Sequence, residues 1–199
     1  TLMYPGCNFY GIREIILEYS KLPKFLPLPV AIQHGWQRFP HAFEASSNPP
    51  EIWVWSPRLK QGLESFYPTK KIRTVGSFFN YLLANQAKEA ALERPVGSIC
   101  IPPHSSHFAE TLYSASDFVE QLKSLDDQYK PITVMLYYLD MSKATVDLYE
   151  GAGFKVVSNG ALFDNDFLKR FVSHVSGKRY CIYSDLGSGV FYASLLGAE

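Results

Sequence analysis

The chain carries no surplus of either charge: its 199 residues hold 19 Lys and Arg against 19 Asp and Glu. A broad nucleic-acid-binding face needs an excess of positive charge to displace counterions from phosphates, so no nucleic-acid partner is expected. Cysteine is scarce. Cys7, Cys100 and Cys181 cannot all pair, and none stands in a C-x-x-C spacing. That argues against a disulfide scaffold or a zinc ribbon, and no metal site is expected. No apolar run approaches the roughly 18–20 residues of a membrane-spanning helix. No basic start followed by an apolar stretch marks a secretory signal. Three motifs are missing as well: G-x-G-x-x-G, G-x-x-x-x-G-K-[ST] and G-x-S-x-G. Their absence argues against a dinucleotide oxidoreductase, a P-loop NTPase and an α/β-hydrolase.

What the chain has in quantity is apolar and aromatic surface, 47% and 15% of residues. That is enough burial to offset folding entropy, so disorder is not expected. Short apolar runs alternate with segments of helical period. In the second half, strands are expected at 97–101, 131–138, 154–157 and 180–184. Helices are expected at 116–125, 142–150, 165–175 and 189–196. Continuous apolar strands alternating with helices predict a parallel sheet covered on both faces. The first half alternates more loosely. Its expected helix spans Ile12 to Tyr19, and its strands lie at 28–33, 52–55 and 72–75. Pro57 suits a first helical turn, and Gly76-Ser77 opens a further helix. The polar, Ala-rich stretch from Asn85 to Pro95 divides the halves, giving an expected N-terminal domain over 1–90 and a C-terminal domain over 91–199. The start at Thr1 and the end just after an apolar helix read as cuts, so both domains are expected to be partial.

Ligands of open parallel sheets bind beyond the carboxyl ends of the strands, which selects five loops. Ser184-Asp185-Leu186-Gly187-Ser188-Gly189 leads into the last helix. Small residues there let a phosphate approach free N–H groups and the positive end of the helix dipole, so Ser188 and Gly189 are phosphate candidates. A Cβ at Gly189 is expected to fill space the phosphate needs. An ordinary capped turn is the bland alternative. Pro102-Pro103-His104-Ser105-Ser106-His107 follows the first strand of the second half; Ser105, Ser106 and His107 could donate to the same phosphates, or be no more than a polar loop. Gln33-His34-Gly35-Trp36 places His34 at a strand end, where an imidazole suits general-base work or a structural hydrogen bond. Gly76-Ser77 could form a second anion site or a simple cap. In Ser158-Asn159-Gly160-Ala161-Leu162-Phe163, Gly160 and Phe163 could hold a nucleobase.

The succession IQHGW, WVWSPRLKQGLESF, IRTVGSFFNYLL and YSDLGSGVFYASLLG resembles bacterial capsule and O-antigen polysaccharide biosynthesis proteins of the glycosyltransferase B type. It resembles, more distantly, CDP-glycerol glycerophosphotransferases. The resemblance implies two Rossmann-like domains and a metal-independent, cofactor-free glycosyltransferase. A nucleotide-sugar donor would be held by Ser188, Gly189, Ser105, Ser106 and His107, with His34 the base toward a glycan or lipid-linked acceptor. It implies a cytoplasmic protein without a transmembrane segment and admits peripheral association with a membrane. The alternatives are a glycerophosphate or phosphosugar transferase, and a non-catalytic nucleotide- or sugar-binding domain.

Overall fold

The computed structural model describes residues 7–33, 35, 49–86, 95–105, 111–184 and 187–199. The chain divides into two compact α/β units, each built on its own all-parallel sheet. The first takes Thr1–Lys88 together with Leu162–Leu168, and the second takes Glu89–Ala161 with Lys169–Glu199.

The first unit runs α1 (Ile12–Tyr19), β1 (Val30–Ile32), β2 (Glu51–Val54), α2 (Pro57–Glu64), β3 (Lys71–Thr74) and α3 (Phe78–Asn85). Its strands pair in the order β1-β2-β3. Pro57 stands at the start of α2, and Ser56 caps it by accepting from Leu59 N–H at 3.3 Å. The period of α2 turns Leu59 and Leu63 onto Ala31, Ile52, Val54 and Ile72 of the strands. Helix α1 buries Ile12, Ile15, Ile16 and Leu17, and Asn85 of α3 donates to the Ile15 carbonyl at 3.3 Å.

At the amino edge of this sheet, Glu51 takes Arg73 at 2.5 Å, Lys71 at 3.4 Å and the Trp53 indole N–H at 2.6 Å. Burial pushes the Glu51 carboxyl up. The hydrogen bonds from Trp53 and Lys71 and the charges of Arg73 and Lys71 outweigh it and hold the group below its usual range. This cluster ties two strands together at the edge opposite to where ligands of such sheets bind.

The second unit runs β4 (Ser98–Ile101), α4 (Ala115–Lys123), β5 (Ile132–Met135), α5 (Lys143–Gly151), β6 (Lys155–Val157), α6 (Phe167–Val175), β7 (Tyr180–Tyr183) and α7 (Ser188–Leu195). The strand order is β6-β5-β4-β7. The two central strands, SICI and ITVM, are buried at every residue, whereas the edge strands β6 and β7 are only partly covered. Cys100, Ile132, Val134, Val119, Leu122 and Tyr149 form one core. Ser114 and Ser142 cap α4 and α5 through Asp117 N–H and Thr145 N–H.

The segment 162–168, assigned from sequence to the second domain, packs instead in the first unit. Tyr10 N–H donates to the Leu162 carbonyl at 2.7 Å, and the Tyr10 ring lies 4.7 Å from that of Phe167. Gly11 makes this approach feasible. Its φ is +76°, and a Cβ there would sit 2.0 Å from the Asn165 carbonyl oxygen, so no other residue type fits.

Candidate functional site

In the second sheet, β5 and β6 build outward on one side of β4, and β7 returns to its other side. The strand order therefore reverses between β4 and β7, and such a reversal opens a crevice at the carboxyl ends. Register puts Ile101, the last residue of β4, beside Tyr183, the last of β7. The two loops read from sequence as phosphate binders leave from these adjacent ends. No pattern along the chain shows that adjacency, because residues 102–179 separate the two strands in sequence.

Helix α7 starts at Ser188 with Gly187 as its N-cap, and among the described residues no side chain caps it. Tyr183 sets the local structure. A Cβ on Gly189 would lie 2.6 Å from the Tyr183 hydroxyl oxygen and 3.1 Å from its ring, and one on Gly187 would lie 3.1 Å from the same oxygen. The space reserved by Gly189 is thus held by Tyr183, which corrects the expectation that it is kept for a phosphate. The phenol lies across the first turn of α7 and brings a hydroxyl there. Sequence reading missed Tyr183; the signal was a large aromatic at a strand end followed by two closely spaced glycines.

Beyond β4, Ser105 N–H donates to both carboxylate oxygens of Asp140, at 3.0 and 3.3 Å. Its hydroxyl accepts from Thr111 N–H at 3.2 Å and donates to the Thr111 hydroxyl at 3.4 Å. Both donors of Ser105 thus have partners within the protein, the N–H on Asp140 and the hydroxyl on Thr111. Asp140, in the 3-10 turn after β5, is a second residue that sequence reading missed. His104 is exposed; its Nδ1–H donates to the Ser105 carbonyl at 3.0 Å. Its ring lies 4.8 Å from that of Tyr137, which lies 4.7 Å from Tyr138. Beyond β4 and β5 there is thus a carboxylate fixed by a backbone N–H, an imidazole and a run of aromatic rings. That set suits a polyhydroxylated ring: carboxylates accept from hydroxyls, and aromatic faces cover C–H surfaces.

Beyond β6, Gly160 takes φ +92° and its N–H donates to the Ser158 hydroxyl at 3.2 Å. Asn159 is buried, and Arg170 of α6 donates to its carbonyl at 2.8 Å. His174 Nε2–H donates to the Ser158 carbonyl at 3.3 Å. Burial holds the His174 pKa below its ordinary value, with the charges of Lys155 and Arg170 adding to the effect and the Ser158 carbonyl opposing it. Phe163, paired with Gly160 in the sequence reading, belongs to the first unit, 62% exposed and edge-on to Phe9 at 5.4 Å.

In the first unit, Gly76 takes φ +85° with open space where a Cβ would stand. Ser77 precedes α3, yet its hydroxyl makes no capping bond and is buried with no partner among the described residues. The simple cap that Ser56 provides for α2 is not repeated here. His34, Ser106 and His107 lie outside the described residues. The three thiols are free. Burial pushes Cys7 and Cys100 up to about 12 and Cys181 up to about 11, which removes thiolate chemistry near neutral pH. Among the described residues, no group of three or more His, Cys, Asp or Glu could hold a metal ion.

Compared with protein-family models, with curated proteins and with solved structures, the chain matches none.

Proposed function

We propose that the chain is a glycosyltransferase of the two-domain B type, or part of one, which transfers a sugar from a nucleotide-activated donor in bacterial surface-polysaccharide synthesis in the cytoplasm. The observation that carries this reading is the strand-order reversal between β4 and β7. It brings the His104-Ser105 loop and the start of α7 to adjacent strand ends.

In this reading the first-turn N–H groups of α7 at Ser188 and Gly189, with the helix dipole and the Tyr183 hydroxyl, take the diphosphate and steady its charge as it leaves. Asp140, His104 and Tyr137 take the sugar, Asp140 by accepting from its hydroxyls. Ser106 and His107 complete the phosphate donors, and His34 removes the proton from the acceptor hydroxyl. The nucleobase lies toward the Asn159-Gly160 loop, about two strand spacings or roughly 10 Å along the sheet edge from β4. Asp140 favours a sugar over a glycerophosphate donor, because a charged phosphate beside a carboxylate is repelled.

The test is thermal unfolding with UDP, CMP, CDP and GDP, then with the sugar conjugates of the best of them. A ligand at about 100 times its Kd adds about 2.7 kcal/mol, or roughly 5–10 °C for a chain of this size. The expected outcome is a shift selective for one base. The extra shift given by the sugar should disappear in Asp140→Asn while the nucleotide shift remains. No shift with any nucleotide would overturn the transferase reading in favour of a binding module for another ligand.

A further inference from the structure

Two phenols meet in the second unit, on segments tied to the Asp140 loop. Tyr149 of α5 is wholly buried, packed in the core with Cys100, Leu122 and Leu136. Its hydroxyl lies 3.2 Å from that of Tyr113, which stands just before α4, half-buried, with its ring edge-on to Phe118 at 5.7 Å. Distance does not say which oxygen donates; burial does. A phenol O–H sealed in a core is costly when it finds no acceptor, and the acceptor that Tyr149 has among the described residues is Tyr113. Tyr149 therefore donates and Tyr113 accepts. The Tyr113 proton is then committed to no group among the described residues, where the bond from Tyr149 is the one its hydroxyl makes. The same segment is tied to Asp140. Thr111, two residues before Tyr113, donates its N–H to the Ser105 hydroxyl, and Ser105 N–H donates to the Asp140 carboxylate. One N–H uses only part of what a carboxylate can accept. Burial, with the negative charge of Asp140 adding to it, holds the Tyr113 phenol above its ordinary range, against the hydrogen bond from Tyr149. Tyr113 thus keeps its proton at neutral pH and stands there as a donor.

We infer that Tyr113 donates its phenol proton to an oxygen of the same sugar whose hydroxyls Asp140 accepts. Each hydroxyl of a sugar ring both donates and accepts, and an ionised carboxylate only accepts. A sugar held by Asp140 alone would leave its own oxygens without a donor. Ser105 does not supply one, since its N–H and its hydroxyl are used within the protein. Tyr113 does, and the buried Tyr149 keeps that proton free by filling the acceptor side of the same oxygen. The interaction is binding alone, with no proton transferred. It rests on the reading of the Asp140 site as a sugar site, and not on any nucleotide.

The experiment is calorimetric titration of the chain with glucose, galactose, mannose and N-acetylglucosamine, free and as their UDP, CDP or GDP conjugates, beside UDP, CMP, CDP and GDP alone. Tyr113→Phe should weaken the best-binding sugar about two- to tenfold, the effect of one neutral hydrogen bond, and leave the bare nucleotides unchanged. It also strands the Tyr149 proton in the core, so it should lower the melting temperature. Two further variants separate binding from fold. Tyr149→Phe should keep sugar affinity close to wild type, because Tyr113 still has its proton to give. Tyr113→Phe with Tyr149→Phe removes both hydroxyls and leaves no buried donor unpaired, so the melting temperature should recover while sugar affinity stays low. Wild-type sugar affinity in Tyr113→Phe or in the double variant would overturn the inference and leave the transferase reading standing. So would an equal loss of sugar affinity in Tyr149→Phe and Tyr113→Phe. Binding of free sugar that Tyr113→Phe weakens, with no binding of any nucleotide, would uphold the inference and overturn the transferase reading. No binding of any sugar, free or conjugated, would overturn the inference.

Discussion

Replacing Gly189 by Ala tests the packing that shapes the start of α7. The new Cβ would stand 2.6 Å from the Tyr183 hydroxyl oxygen and 3.1 Å from a ring carbon, both well inside ordinary contact distance. The phenol must therefore swing away or the first turn of α7 must shift. Overpacking of this kind costs about 1–3 kcal/mol. Ala returns part of it, up to about 1 kcal/mol, because it loses less backbone freedom in a helix than Gly. The net expectation is a loss of about 1–2 kcal/mol, or roughly 2–8 °C in Tm. Urea unfolding followed by circular dichroism measures it. In a Tyr183→Ala background the obstruction is gone, and Gly189→Ala should become neutral or slightly stabilising. The double-mutant cycle should then show a coupling within the roughly 0.5–3 kcal/mol typical of residues in contact. An equal cost in both backgrounds would refute the argument and return Gly189 to a role that does not involve Tyr183. A larger Gly189→Val change should act on stability before it acts on any ligand.

Two further outcomes follow from single contacts. Gly97→Ala should destabilise severely, by about 3 kcal/mol or more: φ is +66° and the new Cβ would lie 2.2 Å from the Pro131 carbonyl oxygen, a backbone atom of the neighbouring segment; chemical denaturation would detect it, and a near-wild-type midpoint would count against the register of β4 with β5. His174 makes stability depend on pH. Its folded pKa is held below the ordinary 6.5, first by burial, so the unfolded chain takes up the proton first as pH falls. Its contribution is then complete above about pH 6.5 and declines below it. His174→Gln should flatten the fall in stability below about pH 6.5, and an unchanged slope would show that His174 is not the group responsible.

The amino-acid sequence by itself determined the elements and the class. Side-chain period is a local property: ITVM and SICI read as buried strands, the spacing of Leu59 and Leu63 as one helix face, and Pro57 after Ser56 as a helix start, because each depends on a few neighbouring residues. The ends of the strands followed from the same reading. What only the tertiary structure decided depends on residues far apart in the chain. The order β6-β5-β4-β7 is a choice of partners that no local pattern encodes, and it made two separate loops neighbours. Asp140 gained a partner in the Ser105 backbone N–H, 35 residues away. Gly189 looked open in sequence because a glycine shows only that a Cβ is absent. Which neighbour takes the vacated space is a matter of packing, and Tyr183, six residues earlier, takes it because β7 and α7 fold back on one another. Segment 162–168 crossed to the first unit for the same reason: its apolar residues fit either half by composition, and the close approach permitted at Gly11 decided between them.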